Sequence, residues 1–113
     1  MIWPRASVKV SEEVAAWART PLPDPRLAKA VQQKFERTLR QIEVAGPLAG
    51  CLEKPSPRDL YETRIDDWRV FGRFEGSVYY MGAVIPKHMK RLSARRLDAI
   101  EEKVAAVVRR NRG

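Results

Sequence analysis

The spacing of apolar positions changes character twice along this chain. Ser7 to Val10 is short and β-branched and predicts an opening strand. Ser11 is a good helix cap, followed by Glu12 and Glu13 in a first turn, where the helix dipole favours acids. That helix, Glu12 to Arg19, runs into the Pro21, Pro23 and Pro25 cluster and must stop there. Asp24 before Pro25 then marks a second start, a capping residue with proline at the first helical position. Leu27, Ala30, Val31, Phe35, Thr38, Leu39 and Ile42 recur at three- and four-residue steps, which predicts one long amphipathic helix ended by Gly46 and Pro47.

Residues 46–59 are rich in glycine and proline and read as a surface loop too short to separate domains. The texture then changes to segments rich in aromatic and β-branched residues: Leu60 to Ile65, Trp68 to Glu75 and Ser77 to Ile85. With Asp66-Asp67 and Glu75-Gly76 at the joints, they predict two successive hairpins in an antiparallel meander. The run through Arg69, Val70, Phe71, Arg73 and Phe74 leaves the inward face of the middle strand open. After Pro86 the chain crosses a basic segment and starts a last helix at Ser93, with Leu92 and Leu97 placed as a hydrophobic staple. Leu97, Ile100, Val104, Val107 and Val108 supply its apolar stripe. The order β-α-α-β-β-β-α argues an α+β fold in which the meander completes one sheet.

At 113 residues the chain is expected to form one domain, residues 1–113, with a core that needs no staples. No apolar run is long enough to span a bilayer, and the first ten residues lack the basic-then-apolar order of a signal peptide. One cysteine, Cys51, excludes an internal disulfide and a multi-cysteine zinc site. A cytoplasmic protein is expected. Lys and Arg number 22 against 14 Asp and Glu, a formal charge of +8. The excess is spread, except that Lys87 to Arg96 holds five Lys or Arg plus His88 and no acid. Such a balance favours polyanionic partners by counterion release, although solvated basic surface accounts for it equally well.

Signatures of phosphate loops, serine-hydrolase elbows and zinc proteases are absent. Candidate chemistry gathers instead on the meander and just beyond it. Tyr61, Arg64, Trp68, Arg69, Arg73, Tyr79, Tyr80, Lys87, His88 and Lys90 interleave cations with rings, a pattern that grips phosphates while stacking unpaired bases. Ordinary packing is the competing reading for Trp68 and Tyr79, and an ion pair with Asp66 or Asp67 is the competing reading for Arg64. Cys51 reads most simply as a small apolar residue.

Leu60 to Arg91 resembles the second half of the RelE/ParE superfamily of type II toxins, especially its HigB-like, phage-derived branch. Leu60, Tyr61, Glu62, Arg64, Trp68, Arg69, Val70 and Phe71 follow that pattern in order. Lys87 and Lys90 correspond to its lysine-rich turn, with Pro86 in place of one lysine. The resemblance implies a RelE-like fold and the toxin of a bacterial toxin–antitoxin pair. Its nuclease members are ribosome-dependent mRNA endonucleases that need no metal or cofactor and inhibit translation. They use the RNA's own 2′-hydroxyl to leave a 2′,3′-cyclic phosphate. The implied partners are a cognate antitoxin in a hetero-oligomer, the ribosome and mRNA, with no membrane involved.

Carried over by position, Arg69 would contact the scissile phosphate and Arg64 would be a second cation on the preceding strand. His88 would be the acid and Glu62 a base. Lys87, Lys90, Arg91, Arg73, Tyr61 and Tyr80 would hold RNA. Two departures count against the nuclease: Glu62 replaces a lysine, and Ala94 to Val108 lacks the tyrosine many nucleases carry. Tyr79 or Tyr80 substitutes for it only by pointing to the same face. The alternative is a ParE-like, non-enzymatic toxin that poisons DNA gyrase. A third is an inactive relative that only binds nucleic acid or protein.

Overall fold

The computed structural model describes residues 7–19, 25–53, 59–86 and 91–112, apart from the side chains of residues 25, 27 and 112. The elements run β1 (Ser7–Val10), α1 (Glu12–Arg19), α2 (Pro25–Ala45), β2 (Tyr61–Ile65), β3 (Trp68–Glu75), β4 (Val78–Pro86) and α3 (Ala94–Arg112). A single 3-10 turn, Gly46–Leu48, follows α2. The fold is α+β, as its element order predicts.

Ser11 caps α1 by accepting the Val14 N–H at 3.1 Å, and Ser93 caps α3 by accepting the Arg96 N–H at 3.2 Å. Gly46 takes a φ of +56°, the left-handed step that releases the chain from α2. The second hairpin turns at Gly76 and Ser77, one residue later than expected, because Gly76 takes the left-handed step with φ +59°. β4 accordingly spans Val78–Pro86 rather than Ser77 to Ile85.

The four strands lie in the order β1-β4-β3-β2. β2, β3 and β4 form the expected antiparallel meander, and β1 adds to β4 in parallel. Both faces of this sheet are covered, so β3 has no single inward face. Val70 packs with Val14, Phe35, Ile42, Ile65, Tyr79 and Met81 on the side of α1 and α2. Phe71 packs with Leu60, Ala83, Ile100 and Val104 on the side of α3. Farther along α3, Val107 and Val108 cover Tyr80. Each fully buried aliphatic or aromatic side chain in these layers contributes about 1.5–3 kcal/mol of transfer free energy.

β4 carries a bulge: Phe71 pairs with Ala83 and Gly72 with Met81, which leaves Gly82 as the extra residue. A methyl group on Gly82 would stand 2.6 Å from the Val104 Cα, so α3 rests directly on the β4 backbone there. Gly72 has the matching role on the other face. The Tyr79 ring lies over it, and a methyl group would stand 2.6 Å from Tyr79 Cζ.

Candidate functional site

The α3 face of the sheet brings three of the candidate residues together at the β2 edge. Strand alternation sets Glu62 and Arg64 on one face of β2, and Arg69 lies directly opposite Arg64 on β3. Two guanidinium groups in that cross-strand relationship repel unless a carboxylate intervenes. Glu62 supplies it. Arg69 donates from Nε to Glu62 Oε2 and from Nη2 to Glu62 Oε1 at 3.0 Å, a bidentate clamp. Arg64 Nε stands 3.5 Å from the same Oε2 and 4.0 Å from a carboxylate oxygen of Glu53. The Arg69 guanidinium also lies 5.4 Å from the centroid of the Phe71 ring.

Burial separates the roles these residues can play. The side chains of Glu62 and Arg69 are 1% and 8% exposed, whereas that of Arg64 is 55% exposed. As placed, Arg69 directs its Nε and Nη2 to Glu62, and Glu62 is enclosed between two guanidinium groups. Arg64 is the member that an incoming phosphate can touch. The competing reading of Arg64, an ion pair with Asp66 or Asp67, is not what the structure holds: Arg64 turns to Glu62 and Glu53, and Asp66 pairs with Lys34 at 3.3 Å. Glu53 reaches this site because its backbone bridges to Glu62. Nothing in the loop composition signals that bridge.

The remaining candidates among the described residues are dispersed. Arg73 is half-buried and pairs with Glu75 on its own strand, Nη2 to Oε1 at 2.9 Å. Tyr80 faces α3 but is buried against Val107 and Val108. Tyr61 packs on the opposite face, its ring centroid 5.3 Å from that of Phe74. Tyr79 is wholly buried on that same opposite face. Trp68 is half-buried, with its ring 6.0 Å from that of Trp17. Arg91 is exposed just before α3. Lys87, His88 and Lys90 lie outside the described residues. The chain leaves β4 at Pro86, one register step beyond the pairing of Ile85 with Arg69.

Among the described residues, two ionisable groups are perturbed beneath the opposite face. Burial pushes the Tyr79 hydroxyl well above the ordinary tyrosine range, and the neighbouring Cys51 and Tyr61 add to the rise. Its Oη is buried without a hydrogen-bond partner among the described residues. Burial also raises the Cys51 thiol, against a smaller opposing effect of its hydrogen bond with Thr63. A raised thiol is a weak nucleophile at neutral pH, in keeping with a packing role for Cys51. Among the described residues, no group of three His, Cys, Asp or Glu side chains could hold a metal ion. No helix among them is long and apolar enough to cross a membrane. Compared with protein-family models, curated proteins and solved structures, the chain matches none.

Proposed function

We propose that this chain is an RNA-cleaving toxin of the RelE/ParE type, acting on mRNA at the ribosome and held in check by a cognate antitoxin. The observation that carries the reading is the Arg64–Glu62–Arg69 cluster, in which a buried, doubly held carboxylate fixes an exposed arginine at the sheet edge. The +8 charge and the acid-free run from Lys87 to Arg96, which follows directly from β4, support a phosphate-rich substrate.

Cleavage by a 2′-hydroxyl makes three demands. The 2′-oxygen gives up its proton and bonds to phosphorus, the non-bridging oxygens gain charge, and the 5′-oxygen leaves with a proton. Arg64 takes the non-bridging oxygens, as the exposed cation of the cluster. Glu62 and Arg69 are positioning residues that hold it. Glu62 is too enclosed to be the base. Glu53, exposed and 4.0 Å from Arg64, is the carboxylate able to accept the 2′-proton. His88 protonates the leaving oxygen. Lys87, Lys90 and Arg91 hold the RNA backbone.

One observation favours the gyrase-poisoning reading instead. α3 contains no tyrosine, and Tyr79 and Tyr80 are both buried, so neither stands in for one.

Inducible expression in bacteria with genome-wide mapping of mRNA 5′ ends separates the readings, with Arg64→Ala, Glu53→Gln and His88→Ala run beside the native chain. In-frame cuts within translated codons that vanish in these variants are expected. Growth arrest with intact mRNA and an induced DNA-damage response would assign the protein to gyrase. Absence of arrest would remove the toxin reading altogether.

A further inference from the structure

The outer side of α2 differs from its core-facing stripe. Phe35, Thr38 and Ile42 point into the core, but Arg37, Arg40 and Val44 face outward. Val44 and the nearby Leu48 are 58% and 65% exposed. Two cavities open along this side, of about 400 Å³ and about 390 Å³, and both have Arg37, Gln41 and Gly50 in their walls. They therefore form one groove between α2, the 49–53 segment and the edge of β2. Its end at Val44, Ala45 and Ala49 is aliphatic. Its other end runs between Lys34 and Arg64.

The charge of this groove is one-sided. Lys34, Arg37, Arg40 and Arg64 line it against a single carboxylate, Glu53. Lys34 and Arg64 are paired with Asp66 and Glu62. Among the described residues no carboxylate stands against Arg37 or Arg40. Cations set around an aliphatic floor suit an acidic segment that also carries an aliphatic side chain. Nucleic acid suits it less well, because among the described residues no aromatic ring lines either cavity for a base to stack on. The edge of β2 adds a main-chain contact. Glu62 exchanges both backbone hydrogen bonds with Glu53 on this edge, and alternation turns the Arg64 N–H and C=O the same way, beyond that single bridge.

We infer that the groove between α2 and the β2 edge docks an extended acidic segment of a partner protein, its aliphatic side chain against Val44 and Ala49 and its carboxylates on Arg37 and Arg40. The inference stands whether or not the chain cleaves RNA, because neither Arg37 nor Arg40 belongs to the candidate cleavage site. Docking there would cover Arg64, so an occupant would also block that site.

The test is to pan a random displayed peptide library against the full chain and against its Arg37→Glu/Arg40→Glu variant. Both substitutions fall on exposed helix surface, and circular dichroism checks that the fold is kept. Peptides enriched on the native chain are expected to carry Asp or Glu around an aliphatic residue. They should bind the variant at least about tenfold more weakly, and the variant should enrich Lys- or Arg-bearing peptides instead. In amide correlation spectra the acidic peptides should shift residues 37–53 and Arg64. No acidic bias, the same peptides on both proteins, or shifts confined to other elements would overturn the inference. Polyuridylate competing for those same resonances would overturn it too, and would mark the groove as a nucleic-acid surface.

Discussion

Lys103 on α3 and Glu13 on α1, 90 residues apart in the chain, are joined Nζ to Oε1 at 2.5 Å, although their helices cover opposite faces of the sheet. The contact is possible because β1 is short. Its pairing with β4 ends at Val10 and Met81, and from Gly82 onward β4 is itself the sheet edge. Side chains replace the missing strand there. Ser11 Oγ donates to the Gly82 carbonyl at 3.2 Å, and Glu13 Oε2 accepts the Val84 N–H at 3.1 Å.

Glu13 thus satisfies a backbone donor that no strand reaches. Glu13→Ala should cost about 1–3 kcal/mol in urea unfolding by leaving that N–H without its acceptor. Lys103→Met removes only a half-exposed ion pair and should cost less than about 1 kcal/mol. Equal losses in the two variants would show that the ion pair, and not the strand-edge hydrogen bond, holds α1 in place.

The Glu62–Arg69 pair makes a contrasting prediction. Removing one partner, as in Glu62→Leu or Arg69→Met, leaves a buried charged group uncompensated and should destabilise by about 3–5 kcal/mol. Replacing both, as Glu62→Leu with Arg69→Met, should recover most of that loss, because an apolar pair avoids the desolvation cost altogether. A double-mutant cycle by denaturant unfolding measures the coupling. If the double variant is as unstable as the sum of the singles, the two side chains are not coupled and the clamp does not hold as described. Under the proposed cleavage mechanism the double variant should nevertheless lose activity, since Arg64 loses the carboxylate that orients it.

The element order was readable from the sequence because caps, prolines and apolar period agree at nearly every boundary. Ser11, Pro25, Gly46 and Ser93 stand where the helices start and stop. The faces of β3 were not readable. Arg69, Phe71, Arg73 and Glu75 share one face, but Arg69 and Phe71 are both buried there, so the polar residues do not mark a solvent side. The bulge at Gly82 lies on the neighbouring strand, where a glycine in an apolar run gives little warning. At the candidate site, Glu62, Arg64 and Arg69 could be picked out by type and order. That two of them are enclosed and one exposed depends on what packs over β2, which no local pattern encodes. Glu53 and Glu13 were missed for the same reason, each acting on a partner distant in sequence or reached only through tertiary pairing.

Tyr79 offers a test of the buried hydroxyl. Its Oη lacks a partner among the described residues, so Tyr79→Phe removes a desolvated polar atom while keeping the ring over Gly72. The variant should be as stable as the native chain or more stable, by up to about 1–3 kcal/mol. The pH dependence should change with it. Tyr79 titrates higher in the folded chain than the ordinary value near 10 in the unfolded one. Its contribution is therefore fully present below pH ~10 and is lost as pH rises beyond that, when the unfolded chain alone gives up the proton. Native protein should show this alkaline loss of stability more steeply than Tyr79→Phe. Parallel curves for the two would mean that the hydroxyl is not held in the neutral state by the fold.

Gly82, in the β4 bulge, and Gly50, in an exposed turn, make the last comparison, because their surroundings are opposite. At Gly82 a methyl group meets Val104 at 2.6 Å from Cα and 2.8 Å from the backbone nitrogen, atoms of a helix that cannot rotate out of the way. At Gly50 nothing lies within 4 Å of the same methyl group. Gly82→Ala should therefore lift α3 off β4 and cost at least about 1–3 kcal/mol, the range for overpacking a filled core. Amide exchange should rise at Ile100, Val104 and Val107, where α3 is pressed against the sheet. Gly50→Ala should leave unfolding within about 0.5 kcal/mol of the native chain. A tolerated Gly82→Ala with unchanged exchange along α3 would mean that the helix does not rest on the bulge as closely as these distances require.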